Sequence, residues 1–192
     1  MGYGEQAELY LQHGATKRQC KHYLMLNIFL VSNICAPFQF GKILIPEIPG
    51  SSTKAVRNLL TGDASRLRWF PPRKLFEIAL VRTILTVQLP IEYFVDVRDN
   101  ARLHVAALLD PAVESERIFA LAAPFNWTDI IDILRKLRPE NKQIPDPPEN
   151  EGRDLSEIVP RKRAERLLQT IFGRPGWTSL QESIATGIED LE

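Results

Sequence analysis

The sequence lacks an excess of charge of either sign. Its 24 lysines and arginines balance 24 aspartates and glutamates over 192 residues. Proteins that bind nucleic acids usually carry a basic face, and anionic membrane surfaces attract clusters of basic residues. The balance therefore argues against both kinds of partner, while 44% hydrophobic and 25% charged residues are typical of a globular protein.

Metal-ligating residues are also scarce. The two cysteines, Cys20 and Cys35, and the three histidines show no zinc-ligand spacing, so we predict reduced thiols and no metal site. The first residues lack a basic-then-apolar signal pattern. The apolar run from Tyr23 to Ala36 contains polar residues and is shorter than the ~20 residues of a membrane helix. We expect a cytoplasmic protein with no membrane partner.

The pattern divides the chain into a weakly patterned segment, 1–22, and a longer part, 23–192. Buried or alternating apolar runs predict strands at 23–34, 93–97 and 117–121. Capping and stop signals predict helices at 54–60, after Asp99, at 126–137, at 161–172 and after Ser179. Proline and acidic residues predict a long surface loop at 139–160. The alternation of strands with helices predicts an α/β fold.

A phosphate-binding loop is missing from this pattern. Gly2 and Gly4 have no strand before them, and no glycine-rich turn follows any predicted strand. A dinucleotide site therefore cannot be built from the predicted elements alone.

Four stretches carry a family resemblance. They are Pro37-Phe38-Gln39-Phe40-Gly41, Tyr93 to Arg102, Glu116 to Leu121 with Trp127 to Leu137, and Gly176 to Ser183. Together they resemble the extended short-chain dehydrogenase/reductase family, in its NAD-dependent epimerase/dehydratase branch close to dihydroflavonol and cinnamoyl-CoA reductases. The second stretch is the most specific. The resemblance runs from about residue 23 to residue 191, except for one internal segment.

The resemblance implies a fold and an activity. The family joins a Rossmann domain that binds NAD(P) to a smaller substrate-binding α/β subdomain, and it transfers hydride between nicotinamide and a carbonyl or alcohol. The chain would be the C-terminal portion of such a Rossmann-type fold, residues 23–192, with the N-terminal βαβ units missing. NAD or NADP and a small-molecule carbonyl substrate are implied for the intact family member. A truncated sheet would expose a strand edge, through which we expect self-association.

The family's catalytic YxxxK motif is absent. None of the four tyrosines is followed four positions later by lysine, and a tyrosine of that motif is the family's proton donor. We therefore assign no catalytic residue, and we expect this chain alone to be inactive and to bind no cofactor.

The proline-to-glycine loop is the remaining link to a cofactor. In relatives the loop approaches the nicotinamide, which implies cofactor contacts at Pro37, Phe38 and Gly41, although Lys42 stands where the family usually has proline. The segment after it helps to cover the substrate in relatives. The alternative, which we favour, is a loop that needs proline and glycine only for its turns.

Two aspartates allow a catalytic and a structural interpretation. Asp96 and Asp99 could form an acid–base pair, but we favour Asp99 as a helix cap and Asp96 as an outward-facing strand residue. His104 is predicted to pack within that helix. The predicted apolar face of the helix consists of Ala101, Val105, Leu108 and Leu109.

Residues 73–92 interrupt the resemblance. In relatives a Pro-Pro-Gln-like turn runs almost directly into the strand that begins here at Tyr93. We hypothesise a retained intron, because Arg73-Lys74-Leu75 can encode the donor GTAAGT, Leu85-Thr86 a CTAAC branch sequence and Ile91-Glu92 a TAG acceptor. Its removal keeps the frame and places glutamine before Tyr93. The alternative is a genuine lineage-specific helix or strand.

Two further functions stay open beside a reductase fragment. One is a non-catalytic interaction protein and the other a small-ligand binder, both on a degenerate reductase scaffold. An upstream YxxxK motif and glycine fingerprint would favour the reductase. A defined oligomer of this exact chain would favour the interaction protein, and saturable ligand binding without cofactor would favour the binder.

Overall fold

The computed structural model describes residues 34, 36, 38–45, 47–48, 50–69, 92–113, 116–149 and 151–191. The predicted strand at 23–34, apart from its last residue, and the segment 73–92, apart from Glu92, lie outside this described part, and so does Pro37. In chain order the elements are β1 (Phe38–Phe40), α1 (Ser51–Leu60), a 3-10 helix (Ser65–Trp69), β2 (Tyr93–Asp96), α2 (Val97–Leu109), β3 (Ala123–Pro124), α3 (Trp127–Leu137), α4 (Arg161–Phe172) and α5 (Leu180–Gly187). A small sheet with five helices confirms the predicted α/β class.

The sheet has β2 as its middle strand. β1 runs parallel to β2, with Phe38 opposite Phe94 and Phe40 opposite Asp96. β3 runs antiparallel to β2, with Tyr93 opposite Pro124. All four residues of β2 are buried, because helices cover both faces of the sheet, as is usual around parallel strands.

Two apolar clusters hold the helices on the sheet. Successive residues of a strand point to opposite faces, so Phe94 and Val95 enter different clusters. On one face Phe94 packs with Phe125 and with residues of α1, α3 and α5. On the other face Val95 packs with Leu103 of α2 and Leu168 of α4.

Most helix boundaries follow their predicted signals. Asn126 caps α3, with Asp129 completing a capping box, and α4 ends at Gly173, whose φ is 60°. Ser179 caps α5 by accepting a hydrogen bond from Glu182 N. Helix α1 begins earlier than predicted, at Ser51, and no side-chain hydrogen bond caps it. The described residues between α3 and α4 form loops, as predicted.

The predicted roles of Asp96 and Asp99 are wrong. Asp96 is the N-cap of α2, and its Oδ1 accepts a 2.8 Å hydrogen bond from Arg98 N. Its side chain is fully buried rather than outward-facing. Asp99 lies inside the first turn, where its buried carboxylate accepts from Thr178 N at 2.7 Å. That partner is remote in sequence, so local capping rules could not reveal it.

The predicted apolar face of α2 is also wrong. Val105 and Leu109 are 41% and 40% exposed. The face that α2 buries comprises Asp99, Asn100, Leu103, Ala106 and Ala107, which begins with two polar residues that a search for apolar periodicity passes over. Within the predicted strand at 117–121 the described residues show an isolated β-bridge at Phe119, and the regular ladder with β2 comprises Ala123 and Pro124.

Candidate functional site

The loop after β1 is fixed against the start of α2. Gly41 has a φ of 135°, a conformation that side-chain-bearing residues rarely adopt. A Cβ at this position would lie 2.8 Å from Val97 Cγ2 and 3.0 Å from Asp96 Oδ2. Glycine is therefore required both by the backbone conformation and by the close approach, which accounts for the turn without any bound group.

The aromatic residues of β1 anchor the same loop to the core. The rings of Phe38 and Phe40 meet Phe125 edge-to-face, with centroids 5.1 and 5.3 Å apart. The side chain of Phe38 is thus committed to the first apolar cluster. The described residues contain no glycine-rich phosphate loop and do not by themselves fit a dinucleotide. The cofactor contacts of Pro37, Phe38 and Gly41 remain predictions, and we derive no step through a cofactor.

A cavity of about 460 Å³ opens beside this loop. It lies between residues 42–48 and the start of α1, and it reaches Val97 at the start of α2. Its volume is in the range of small-molecule sites. Its lining residues are Gln39, Lys42, Ile43, Leu44, Ile45, Ile48, Gly50, Ser52, Thr53 and Val97.

The loop that borders the cavity is unusually apolar for a surface segment. Leu44, Ile45 and Ile48 are 83%, 54% and 72% exposed. Grouped exposed aliphatic side chains mark binding grooves more often than scattered ones do. The cavity is therefore suited to a ligand with substantial apolar surface.

Polar groups on the cavity wall are tied to neighbouring elements. Gln39 Oε1 accepts a hydrogen bond of 2.9 Å from Asn100 Nδ2 of α2. Thr53 Oγ1 of α1 donates to the backbone oxygen of Gln39 at 3.4 Å. Lys42 Nζ lies 2.6 Å from Glu189 Oε1 in an exposed ion pair. These bonds connect β1 and its loop to α1, α2 and the end of the chain.

The carboxylate of Asp96 has a structural role next to the cavity. Arg98 Nε lies 3.0 Å from Asp96 Oδ1, and Arg98 Nη2 lies 3.2 Å from Glu182 Oε1 of α5. Hydrogen bonding to Asp96 raises the pKa of the Arg98 guanidinium above its ordinary value. Arg98, a permanent cation like any arginine, connects the start of α2 to α5 through these two contacts.

Asp99 is engaged separately. Its Oδ1 accepts a 2.7 Å hydrogen bond from Arg102, and its other oxygen accepts from Thr178 N. Since Asp96 and Asp99 each have their own arginine, the geometry is that of two structural carboxylates and supports no acid–base pair. His104 Nδ1 lies 2.8 Å from Asn100 O within α2, which fits the packing role predicted for it.

Sequence reasoning missed the residues that line the cavity. It placed the loop after β1 near the substrate by resemblance, but it did not select Gln39 or Thr53. The sequence signal for the cavity was the group of aliphatic residues within 43–48, a segment that also contains a proline. Such a group of aliphatic residues is unusual in a loop. Among the residues that the structure describes, no helix is long and apolar enough to cross a membrane, and no group of three side chains could ligate a metal ion.

Known proteins share sequence with much of the chain. It is 42% identical over 160 residues to the ketoreductase adrE of Penicillium roqueforti, a match that covers 83% of this chain and 42% of that protein. It is 38% identical over 190 residues to the ketoreductase nvfG of Aspergillus novofumigatus, covering 96% and 50%. An NAD-dependent epimerase/dehydratase of Aspergillus terreus, terH, is 31% identical over 97 residues, covering 50% and 28%. The chain thus spans about half the length or less of these relatives.

Solved structures and protein-family models were also compared with the chain. A yeast methylglyoxal/isovaleraldehyde reductase, solved in complex with NADPH, aligns with 80% of this chain and 44% of its own, at 19% identity and a TM-score of 0.47. No protein-family model matches the chain. These sequence relatives identify the chain as part of an extended short-chain dehydrogenase/reductase of the NAD-dependent epimerase/dehydratase kind, as the four stretches predicted.

Proposed function

We propose that the chain is the substrate-binding part of an NAD(P)-dependent oxidoreductase that reduces a carbonyl group or oxidises the corresponding alcohol. The single observation that carries the proposal is the 42% identity to a ketoreductase over most of the chain. The cavity beside β1 would take the substrate, because it adjoins the loop that approaches the nicotinamide in relatives.

The division of labour within the whole protein is part of the proposal. Neither a YxxxK motif nor a glycine fingerprint occurs in these 192 residues, so a segment outside them would supply the proton donor and the phosphate-binding loop. This chain alone would then bind no NAD or NADP and have no activity. Residues 23–192 would form the C-terminal substrate-binding part, and residues 73–92 within it would be a retained intron. The whole protein would be cytoplasmic.

The test begins with the full-length transcript of this locus. We expect an upstream YxxxK motif and glycine fingerprint, and direct splicing that replaces residues 73–92 with glutamine. The protein that this transcript encodes, called the transcript-encoded protein below, should oxidise NADPH or NADH when a ketone is added. A transcript that encodes only these 192 residues, or an encoded protein without carbonyl-dependent cofactor oxidation, would contradict the reductase proposal.

A second candidate function is ligand binding without catalysis. It is favoured by the cavity itself, since residues of this chain alone line it. Saturable binding of a small ketone by the 192-residue chain, with no change when NADPH is added, would support the binder over the reductase.

A further inference from the structure

One polar pair on the cavity wall is only half satisfied. Gln39 lines the cavity and accepts a hydrogen bond from Asn100 Nδ2. Asn100 is only 9% exposed, yet its Oδ1 has no hydrogen-bond partner. Buried polar groups are normally hydrogen-bonded, and an unpaired one lowers the stability of the fold. The position of Asn100 therefore needs a reason other than stability. Positioning of the neighbouring Gln39 amide at the cavity is such an explanation.

The orientation of the two amides follows from their donors and acceptors. With Gln39 Oε1 as acceptor, Asn100 uses one N–H group and leaves its carbonyl oxygen unpaired. If both amides were reversed, Asn100 would leave its N–H groups unpaired. Orphaned N–H groups in protein interiors are rarer than under-satisfied carbonyl oxygens. The observed orientation leaves Gln39 Nε2 as a donor without a hydrogen-bond partner among the residues that the structure describes.

Two of the other polar side chains that line the cavity are already engaged by protein groups. Thr53 already donates to the backbone of Gln39, and Lys42 is paired with Glu189, while Ser52 lies at the start of α1. The other side chains of the wall are aliphatic. A neutral donor beside aliphatic side chains favours an uncharged ligand with one acceptor oxygen, because Lys42, the charged residue on this wall, is already paired with Glu189 and a charged ligand would lose hydration on binding.

We propose that Gln39 is a specificity-determining residue of the cavity. Its Nε2 donates a hydrogen bond to the oxygen of an uncharged, largely apolar carbonyl compound or alcohol, and Asn100 is the positioning residue that orients the amide. The inference rests on the proposed function in taking this ligand to be the substrate. A site built to pair a ligand oxygen discriminates against analogues that lack it, since its own polar group is then left unpaired.

The test uses two probes that share a ring skeleton, 9-fluorenone and fluorene, which differ only in the carbonyl group. Binding to the transcript-encoded protein is measured without nicotinamide cofactor. Gln39→Leu should weaken fluorenone binding about three- to tenfold, the effect of one hydrogen bond, and leave fluorene binding within about twofold. Gln181→Leu is the matched control, because Gln181 is exposed on α5; it should change neither affinity.

A second measurement needs no substitution at Gln39. In the unmodified protein, the side-chain NH₂ resonances of Gln39 should shift when fluorenone is added and stay unchanged with fluorene. Asn100→Leu, which removes the positioning group, should reduce the preference for fluorenone while fluorene still binds.

Several results would overturn the inference. They are equal weakening of both probes by Gln39→Leu, no weakening of either, unshifted Gln39 resonances at saturation, or no binding of fluorenone to the unmodified protein. The outcome is separable from the proposed function because no hydride is transferred. Carbonyl-selective binding without reductase activity would support the role of Gln39 and refute the reductase proposal. Reductase activity with equal binding of fluorenone and fluorene would support the reductase proposal and refute the role of Gln39.

Discussion

Gly41 meets two separate constraints, a positive φ and a close approach to Val97. We expect Gly41→Ala in the transcript-encoded protein to lower the free energy of unfolding by about 2–4 kcal/mol, combining backbone strain with overpacking. Gly173→Ala is the matched control. Gly173 has a φ of 60° but no atom within 4 Å of an added Cβ, so it should lose only about 1 kcal/mol. Equal losses in urea denaturation would contradict the steric argument.

Asp99 is the buried charge on which the contact between α2 and the segment before α5 depends. Asp99→Ala leaves Thr178 N without its acceptor and Arg102 without its partner. The loss should be about 2–4 kcal/mol in the free energy of unfolding. Asp146, whose side chain is 94% exposed and paired with Arg135, provides the control, since Asp146→Ala should cost less than about 1 kcal/mol. A similar effect at both sites, measured by denaturant titration, would refute the buried role of Asp99.

Individual residues were predictable where the signal was local. Asn126 and Ser179 cap the helices that they were predicted to cap. These caps were predictable because each side chain accepts from a backbone N–H group only three residues further along the chain. Asp99 and Gln39 were not predictable in this way. Their partners lie 79 and 61 residues away in the chain, and no rule of local spacing reaches that far.

At the scale of elements, α3 is tied at its start by a distant carboxylate. Glu151 accepts from Trp127 N and Thr128 N, each at 2.8 Å, and from the Thr128 hydroxyl at 2.7 Å. A negative charge at a helix N-terminus also interacts favourably with the helix dipole. The loop between α3 and α4 is thereby attached to the helix that precedes it.

Removal of this carboxylate should loosen the first turn of α3 without unfolding the protein. We expect Glu151→Ala to cost about 1–3 kcal/mol and to speed hydrogen exchange at the Trp127 and Thr128 amides. Glu149→Ala should leave these exchange rates unchanged, because Glu149 is exposed on the same loop. Unaltered exchange in Glu151→Ala would show that the Asn126 cap alone is sufficient.

Two predictions at this scale compare differently with the structure. The strand expected at 117–121 is apolar and largely buried, and the described residues show an isolated β-bridge at Phe119 before the regular ladder with β2 at 123 and 124. The face of α2 was misassigned because Asp99 and Asn100 are buried through tertiary hydrogen bonds. Helices α3 and α4, whose buried faces are mostly apolar, agreed with the periodic pattern.

For the whole molecule, we predict that the 192-residue chain alone is insoluble or depends on a partner. Leu44, Ile48 and Leu155 are each more than 70% exposed, and such apolar surface promotes association. Size-exclusion chromatography and thermal melting of the expressed chain provide the measurement. A monomeric preparation that melts cooperatively would contradict the prediction.

Paired substitutions would locate the surface responsible. If the loop beside the cavity drives association, Leu44→Lys with Ile48→Lys should raise the soluble fraction more than Val105→Lys with Leu109→Lys on α2. Rescue by the α2 pair alone would instead assign association to that helix. Self-association through the sheet edge stays a prediction; the two outer strands of the described sheet contain three and two residues, which limits the length of any added ladder.

The parallel pairing of β1 with β2 has a consequence for loop-closure entropy. Phe38 and Phe94 are neighbours in the sheet although roughly 55 residues separate them, and the cost of closing a loop grows only with the logarithm of its length. Replacing residues 73–92 by one glutamine would shorten that loop by about a third and change the closure cost by only about 0.4 kcal/mol. Spliced and unspliced products would therefore meet nearly the same entropic barrier in forming this sheet, and the strand pairing itself would tolerate either length.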